Sequence, residues 1–200
     1  MGFPFSAATA SAASCTDVDV TFARGTLELP GLGIVGGPFT QALIAELPGK
    51  SVTTYAVDYL ADPAQLSAGS GATKMTEHVI SVAARCPNTR FVIGGYSQGA
   101  TVTDIAAGIK TVLGSGTAIP ASLASRVVAV VTFGNPIRLT GKTIAAGSPT
   151  YSPKWADYCA SGDPVCNNGV SALDHVAYIV DGSTEAGAKF AAARVLSATS

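Results

Sequence analysis

Apolar residues fall along this chain in two alternating patterns: short continuous runs, and longer stretches with apolar positions three or four apart. Runs over 18–22, 51–57, 90–95 and 126–133 read as strands, and the last is nearly all apolar, as expected of a strand covered on both faces. A shorter run at 155–159 is a candidate last strand. Helical spacing predicts a helix over 36–47, with Phe39, Leu43, Ile44 and Leu47 on one face, Pro38 in its first turn and Gly49 as its stop. A second helix is predicted over 72–85 from Ala72, Met75, Val79 and Val82. A third is predicted over 98–113 from Val102, Ile105, Ala106, Ile109 and Val112. A closing helix over 184–196 would be capped by Ser183 or Thr184. Residues 60–71, rich in Ala, Gly, Ser and Pro, read as a loop. Strands and helices alternate without an internal repeat or long linker, which predicts an α/β sandwich around a mainly parallel sheet.

The 200 residues suit one domain with a substantial core, expected over 15–200. Residues 1–14 are set apart. They are small and almost uncharged, and Ala8-Thr9-Ala10 and Ala10-Ser11-Ala12 look like small-residue cleavage sites, but no basic region precedes them. They read as the unstructured end of a trimmed leader or as a non-native tail. Hydrophobic residues make up 48% of the chain and charged residues only 12%, with a net charge of −1, so no basic stripe is present to attract nucleic acid or an anionic membrane. A sparsely charged surface suits approach to an oily or uncharged polymer. No apolar run reaches the roughly 18 residues of a spanning helix.

The four cysteines, Cys15, Cys86, Cys159 and Cys166, suit an oxidising compartment. They allow three pairings. Cys159 and Cys166 are near enough in sequence to close a small loop, which leaves Cys15 for Cys86. No C-x-x-C spacing occurs and only two histidines exist, so no metal site is expected.

The strongest chemical signal is Gly95-Tyr96-Ser97-Gln98-Gly99. It matches a G-x-S-x-G elbow with a predicted strand before it and a predicted helix after it. Such a turn raises the serine hydroxyl above the sheet edge and aims the next amide, that of Gln98, at the place where a tetrahedral oxyanion forms. A serine needs a base, which in this topology follows it in the chain after an acid. His78 precedes Ser97 within a predicted helix and reads as a half-buried surface residue, which leaves His175. Among acids, Asp163 lies inside the Cys159–Cys166 segment, where a closed loop would fix its carboxylate. Asp174 is the second candidate, though neighbouring residues rarely face each other as required. Asp157 would lie within a strand, and Asp181 follows the histidine and breaks the order.

At these residues the chain resembles the cutinase family. Cys86-Pro87, the strand, and Gly94-Gly95-Tyr96-Ser97-Gln98-Gly99 look like its nucleophile block, and Cys159-x-x-x-Asp163-x-Val165-Cys166 followed by His175 looks like its second. The resemblance runs from Cys15 onward. It implies a small lidless α/β-hydrolase with a central five-stranded parallel sheet, the disulfides Cys15–Cys86 and Cys159–Cys166, and a Ser97, Asp163 and His175 triad. It also implies a second oxyanion donor just after the first strand, where Arg24-Gly25-Thr26 places Thr26. Leu66, Val170 and Leu173 are the expected acyl contacts. The expected protein is a secreted, monomeric serine esterase acting on cutin-like polyester, short-to-medium acyl esters or lipid esters, without metal or organic cofactor. Acetylxylan esterase or phospholipase activity on the same scaffold is one alternative, and a non-catalytic, antigen-like cell-wall binding protein is another.

Overall fold

The computed structural model describes residues 15–198. The expectation for residues 1–14 lies outside them. Strands β1 (Val18–Ala23), β2 (Val52–Ala56), β3 (Arg90–Tyr96), β4 (Val127–Phe133) and β5 (Trp155–Tyr158) form one parallel sheet in the order β2-β1-β3-β4-β5. Every residue of β1 and β4 is buried, whereas edge strand β2 is half-buried. Burial on both faces explains the near-continuous apolar runs.

Helices α2 (Ala68–Arg85) and α3 (Gln98–Ala106) cover one face, where Met75, Val79, Val102 and Ile105 pack on Phe91, Ile93 and Val130. Helices α1 (Gly33–Ala45) and α5 (Ser183–Ala198) cover the other, with Phe39, Leu43, Ala188 and Val195 on Val20, Phe22, Val131 and Phe133. Phe22, Phe39 and Phe133 meet with ring centroids 5.7–6.4 Å apart. A short helix, α4 (Ile144–Gly147), and 3₁₀ turns at Ala121–Leu123, Pro136–Thr140, Ser152–Lys154 and Ala177–Ile179 lie in the connections. The strand order reverses between β1 and β3, and α/β sheets bind ligands above such a switch point, at the carboxyl ends of the strands.

Three helix boundaries differ from the sequence pattern by three residues or more. Helix α1 starts at Gly33, so Pro38 lies within the helix rather than in its first turn. Helix α2 starts at Ala68, inside the predicted loop. Helix α3 stops at Ala106, because Gly108 turns the chain at φ +85°, and Val112, expected on the buried stripe, is exposed. Ile109 is buried as expected.

His78 is half-buried, as its place in the helix suggested, and its Nε2 lies 3.0 Å from the carboxylate of buried Asp19 while its ring stacks on Tyr55. A second buried carboxyl, Asp104 on α3, accepts a 2.9 Å hydrogen bond from Asn135 Nδ2. Burial raises its pKa well above 3.8; Asn135 opposes the shift, and the charge of Asp157 adds to it. An acid with a raised native pKa holds its proton after the unfolded chain has lost its own, so stability falls as pH rises above about 3.8. Asp104→Asn keeps an acceptor for Asn135 and can turn its NH2 toward the cleft lined by Thr101 and Thr140. It is expected to raise Tm at pH 8 and to raise it much less at pH 4, because the cost of keeping a buried carboxyl grows with pH and an amide does not titrate. Thermal melts of both proteins across this range check it.

Candidate active site

The elbow between β3 and α3 is built by sterics. Ser97 sits at φ +56° and ψ −118°, a conformation costly for a residue with a side chain. A Cβ on Gly95 would collide with the Gly99 carbonyl, and one on Gly99 with the Ala23 carbonyl at the end of β1. The two glycines therefore let strand, turn and helix close on one another. Ser97 N–H donates to Phe133 O at 2.9 Å, tying the turn to β4.

Ser97 Oγ lies 2.9 Å from His175 Nε2, and His175 Nδ1 lies 2.8 Å from Asp163 Oδ2. A carboxylate only accepts, so Nδ1 carries the proton and Nε2 is left to accept from the serine hydroxyl. The imidazole is held on several sides. Tyr96 Oη donates to His175 O at 2.7 Å, and the two rings lie 5.0 Å apart. Gly134, at φ +59°, backs the ring, and a Cβ there would lie 2.9 Å from His175 Cε1 and 3.2 Å from Asp163 Oδ2.

Asp163 is fully buried. Burial alone would push its pKa up, but hydrogen bonds from Tyr178 Oη, His175 Nδ1 and the Val165 amide outweigh it and hold the carboxyl below 3.8. Tyr178 Oη donates to the same Oδ2 that His175 uses, while Val165 N–H donates to Oδ1 at 2.7 Å. Burial and the adjacent carboxylate together push the Tyr178 phenol far up, so it stays a donor. The Cys159–Cys166 disulfide closes the loop around Asp163, and Cys15–Cys86 ties the segment before β1 to the end of α2. The other carboxylates face elsewhere. The Asp174 side chain packs against Gly162, Asp157 bonds Thr132 and Arg138, and Asp181 accepts from the Ser183 amide.

Thr26 and Gln98 lie together, with Thr26 Oγ1 donating to Gln98 Oε1 at 3.2 Å. Gln98 Nε2 in turn donates to Ser67 Oγ at 3.4 Å, and Ser67 Oγ donates to the Asp62 carboxylate, whose pKa falls to about 2 chiefly through that bond. Neither the Thr26 nor the Gln98 amide is spent on a backbone acceptor among the described residues. The amide of Gln98, at the N-terminus of α3 directly after the serine, can receive developing negative charge, and Thr26 adjoins it through the Oγ1–Oε1 bond.

Leu66, Val170 and Leu173 are all strongly exposed, Val170 at 99%. Leu66 adjoins Ser67, and Leu173 precedes His175 by two positions, so both stand on loops that carry site residues. Sequence reasoning did not find Tyr178, Gly134 or Tyr96 as supports. The only local signal was the spacing His175-x-x-Tyr178, and the contacts themselves arise from tertiary packing.

A protein-family model described as Cutinase matches residues 14–195. A cutinase of Kineococcus radiotolerans is 59% identical over 189 residues, which are 94% of this chain and 64% of that protein. The carboxylesterase Culp1 of Mycobacterium tuberculosis is 40% identical over 193 residues, 93% of this chain and 85% of that protein. An iodinated acetyl xylan esterase crystal structure superposes with a TM-score of 0.80 at 25% identity, covering 91% of this chain and all of that one. The chain spans less than two thirds of the length of the Kineococcus relative. A family model that covers nearly the whole chain, together with the cutinase-like α/β-hydrolase sheet, shows that this chain belongs to the cutinase family.

Proposed function

We propose that the protein is a carboxylic ester hydrolase that works through an acyl-enzyme on Ser97. The observation that carries this reading is the unbroken relay Ser97 Oγ, His175 and Asp163, with links of 2.9 and 2.8 Å. His175 removes the hydroxyl proton as Ser97 attacks the ester carbonyl. The amides of Thr26 and Gln98 hold the oxyanion, each such donor contributing about 2.7–4 kcal/mol to barrier lowering. His175 then passes the proton to the leaving alcohol, and water repeats the sequence on the acyl-enzyme. Asp163 stays ionised throughout and keeps the imidazole in one tautomer. The scheme uses only side chains and backbone amides.

The favoured substrates are polyesters of the cutin kind and short-to-medium acyl esters. Leu27, Leu60, Leu66 and Leu173 are exposed by 74–81% on the loops that carry the site residues, which suits an apolar acyl chain. The superposition on acetyl xylan esterase supports a second reading, acetyl removal from a polysaccharide. Two disulfides favour an extracellular setting, and among the described residues no helix is long and apolar enough to cross a membrane.

A fluorophosphonate probe should label Ser97, and intact mass with peptide mapping reads the adduct. Absence of labelling would leave the non-catalytic binding protein as the better reading. A series of p-nitrophenyl esters from acetyl to palmitoyl, with a polyester emulsion, acetylated xylan and phospholipid vesicles alongside, separates the substrate classes. Preference for acetyl esters and acetylated xylan would replace the polyester reading.

A further inference from the structure

The loop between β1 and α1 carries Thr26, and its geometry depends on a carboxylate that the scheme above does not use. Glu28 reaches both ends of the loop. Its Oε2 accepts from Gly25 N–H in a very short hydrogen bond, and its Oε1 accepts from Ile34 N–H, in the first turn of α1, at 2.7 Å. Two glycines keep room for it. A Cβ on Gly33, at φ +76°, would overlap the carboxylate, and one on Gly25 would lie 3.2 Å from Oε2 and 2.8 Å from the Tyr96 ring. The backbone of Glu28 is held as well, since its carbonyl accepts from Arg24 Nε at 2.8 Å. The same guanidinium donates to Val57 O and Tyr59 O.

Between these anchors the chain is strained. Leu27 adopts φ +62°, and its N–H donates at 2.8 Å to Ala61 O, on a residue that is itself at φ +53°. Left-handed backbone at a leucine and an alanine is unfavourable and persists only where the surroundings impose it. The residue immediately before this strained position is Thr26, whose amide has no backbone acceptor among the described residues.

We propose that Glu28 is a positioning residue of the oxyanion hole. By bridging the Gly25 and Ile34 amides, its carboxylate holds Thr26 N–H in register with Gln98 N–H against the tendency of the loop to relax. The inference rests on the esterase reading and adds to it a residue that touches neither substrate nor reacting atoms. Its sign is distinctive. A negative charge near a developing oxyanion is an electrostatic cost, so a Glu28 that acted through its field alone would slow the reaction, and neutralising it would raise the rate. A clamp predicts the reverse.

Glu28→Gln removes the charge and places an NH2 against one of two N–H donors, so only one end of the loop stays bonded. The test compares this variant with the parent on p-nitrophenyl butyrate, after counting functional sites by fluorophosphonate titration. Per titrated site, kcat is expected to fall about 10–100-fold while KM moves less than about threefold. Affinity for phenylboronic acid, which forms a tetrahedral adduct on the serine, should fall in parallel. The midpoints of the pH–rate profile should stay in place, because the His175–Asp163 pair is untouched. A per-site kcat within about threefold of the parent, or a loss seen only in the number of titratable sites, overturns the clamp. If Glu28→Gln does not yield folded protein, Glu28→Asp, whose shorter arm reaches only one amide, carries the same comparison with the same deciding outcomes. A parent that the probe does not label overturns the esterase reading and this inference with it, whereas a labelled parent beside an unimpaired variant overturns the clamp alone.

Discussion

Ser97→Ala is expected to lower ester turnover by roughly 10⁶-fold while leaving the fold as stable as before, by analogy with other serine triads. The size follows from what is removed. The hydroxyl is the group of Ser97 that bonds His175, at 2.9 Å, and without it no acyl-enzyme can form. The tie from Ser97 N–H to Phe133 O is backbone and survives, and alanine carries the same φ +56° strain as serine, so the elbow keeps its shape. Residual catalysis of about 10³–10⁴-fold over water is expected from the oxyanion amides and binding alone. Initial rates on a p-nitrophenyl ester, with thermal melts of both proteins, check both halves. Turnover unchanged in the variant would falsify the nucleophile assignment. A large fall in Tm would mean that the serine serves the fold instead.

The sequence was most informative where local sterics decide structure. Gly95 and Gly99 announce the elbow because only glycine tolerates the approach of the Gly99 and Ala23 carbonyls, so motif and geometry are one fact. The apolar runs of β3 and β4 were similarly legible, since strands covered on both faces admit little else. Helix ends were less so. Helix α1 begins ahead of the start that Pro38 predicts, because proline at a first turn is a sound local rule, whereas the early amide of Ile34 is satisfied by Glu28 from the preceding loop. Helix α3 ends short of its apolar pattern, because Ile109 continues that pattern beyond Ala106 while packing from a non-helical segment. Periodicity records which residues are buried, not which backbone conformation buries them. The supports of the site were hidden for a related reason. Tyr178, Gly134 and Tyr96 come from three separate segments of the chain, and nothing in any one of them shows that it will meet an imidazole carried on another.

Asp163→Asn is expected to lower kcat by about 10⁴-fold at neutral pH with little change in KM. The hydrogen bonds around this side chain determine how. Val165 N–H donates to Oδ1 at 2.7 Å, so the carbonyl oxygen of an asparagine is retained on that side. Its NH2 then occupies the place of Oδ2, facing Tyr178 Oη and His175 Nδ1. A donor there forces Nδ1 to accept and moves the imidazole proton to Nε2, which points it at Ser97 Oγ and leaves no base for the serine. The opposite flip would restore an acceptor to His175 only by turning NH2 against the Val165 amide. Acid stability should change in step. In the parent, the lowered pKa of Asp163 contributes stability that is present above 3.8 and is lost as pH falls through the native value, when the protonated carboxyl no longer accepts both donors. Asparagine does not titrate, so the variant should lack this part of the acid-side loss even though its Tm at pH 7 is lower. Steady-state kinetics and melts between pH 2 and 7 read the two effects separately, with the range chosen to bracket the ordinary carboxylate pKa of about 3.9. A kcat loss of less than about tenfold would reduce Asp163 to a scaffold for the disulfide loop, and would assign the orientation of His175 to Tyr96 and Gly134 instead.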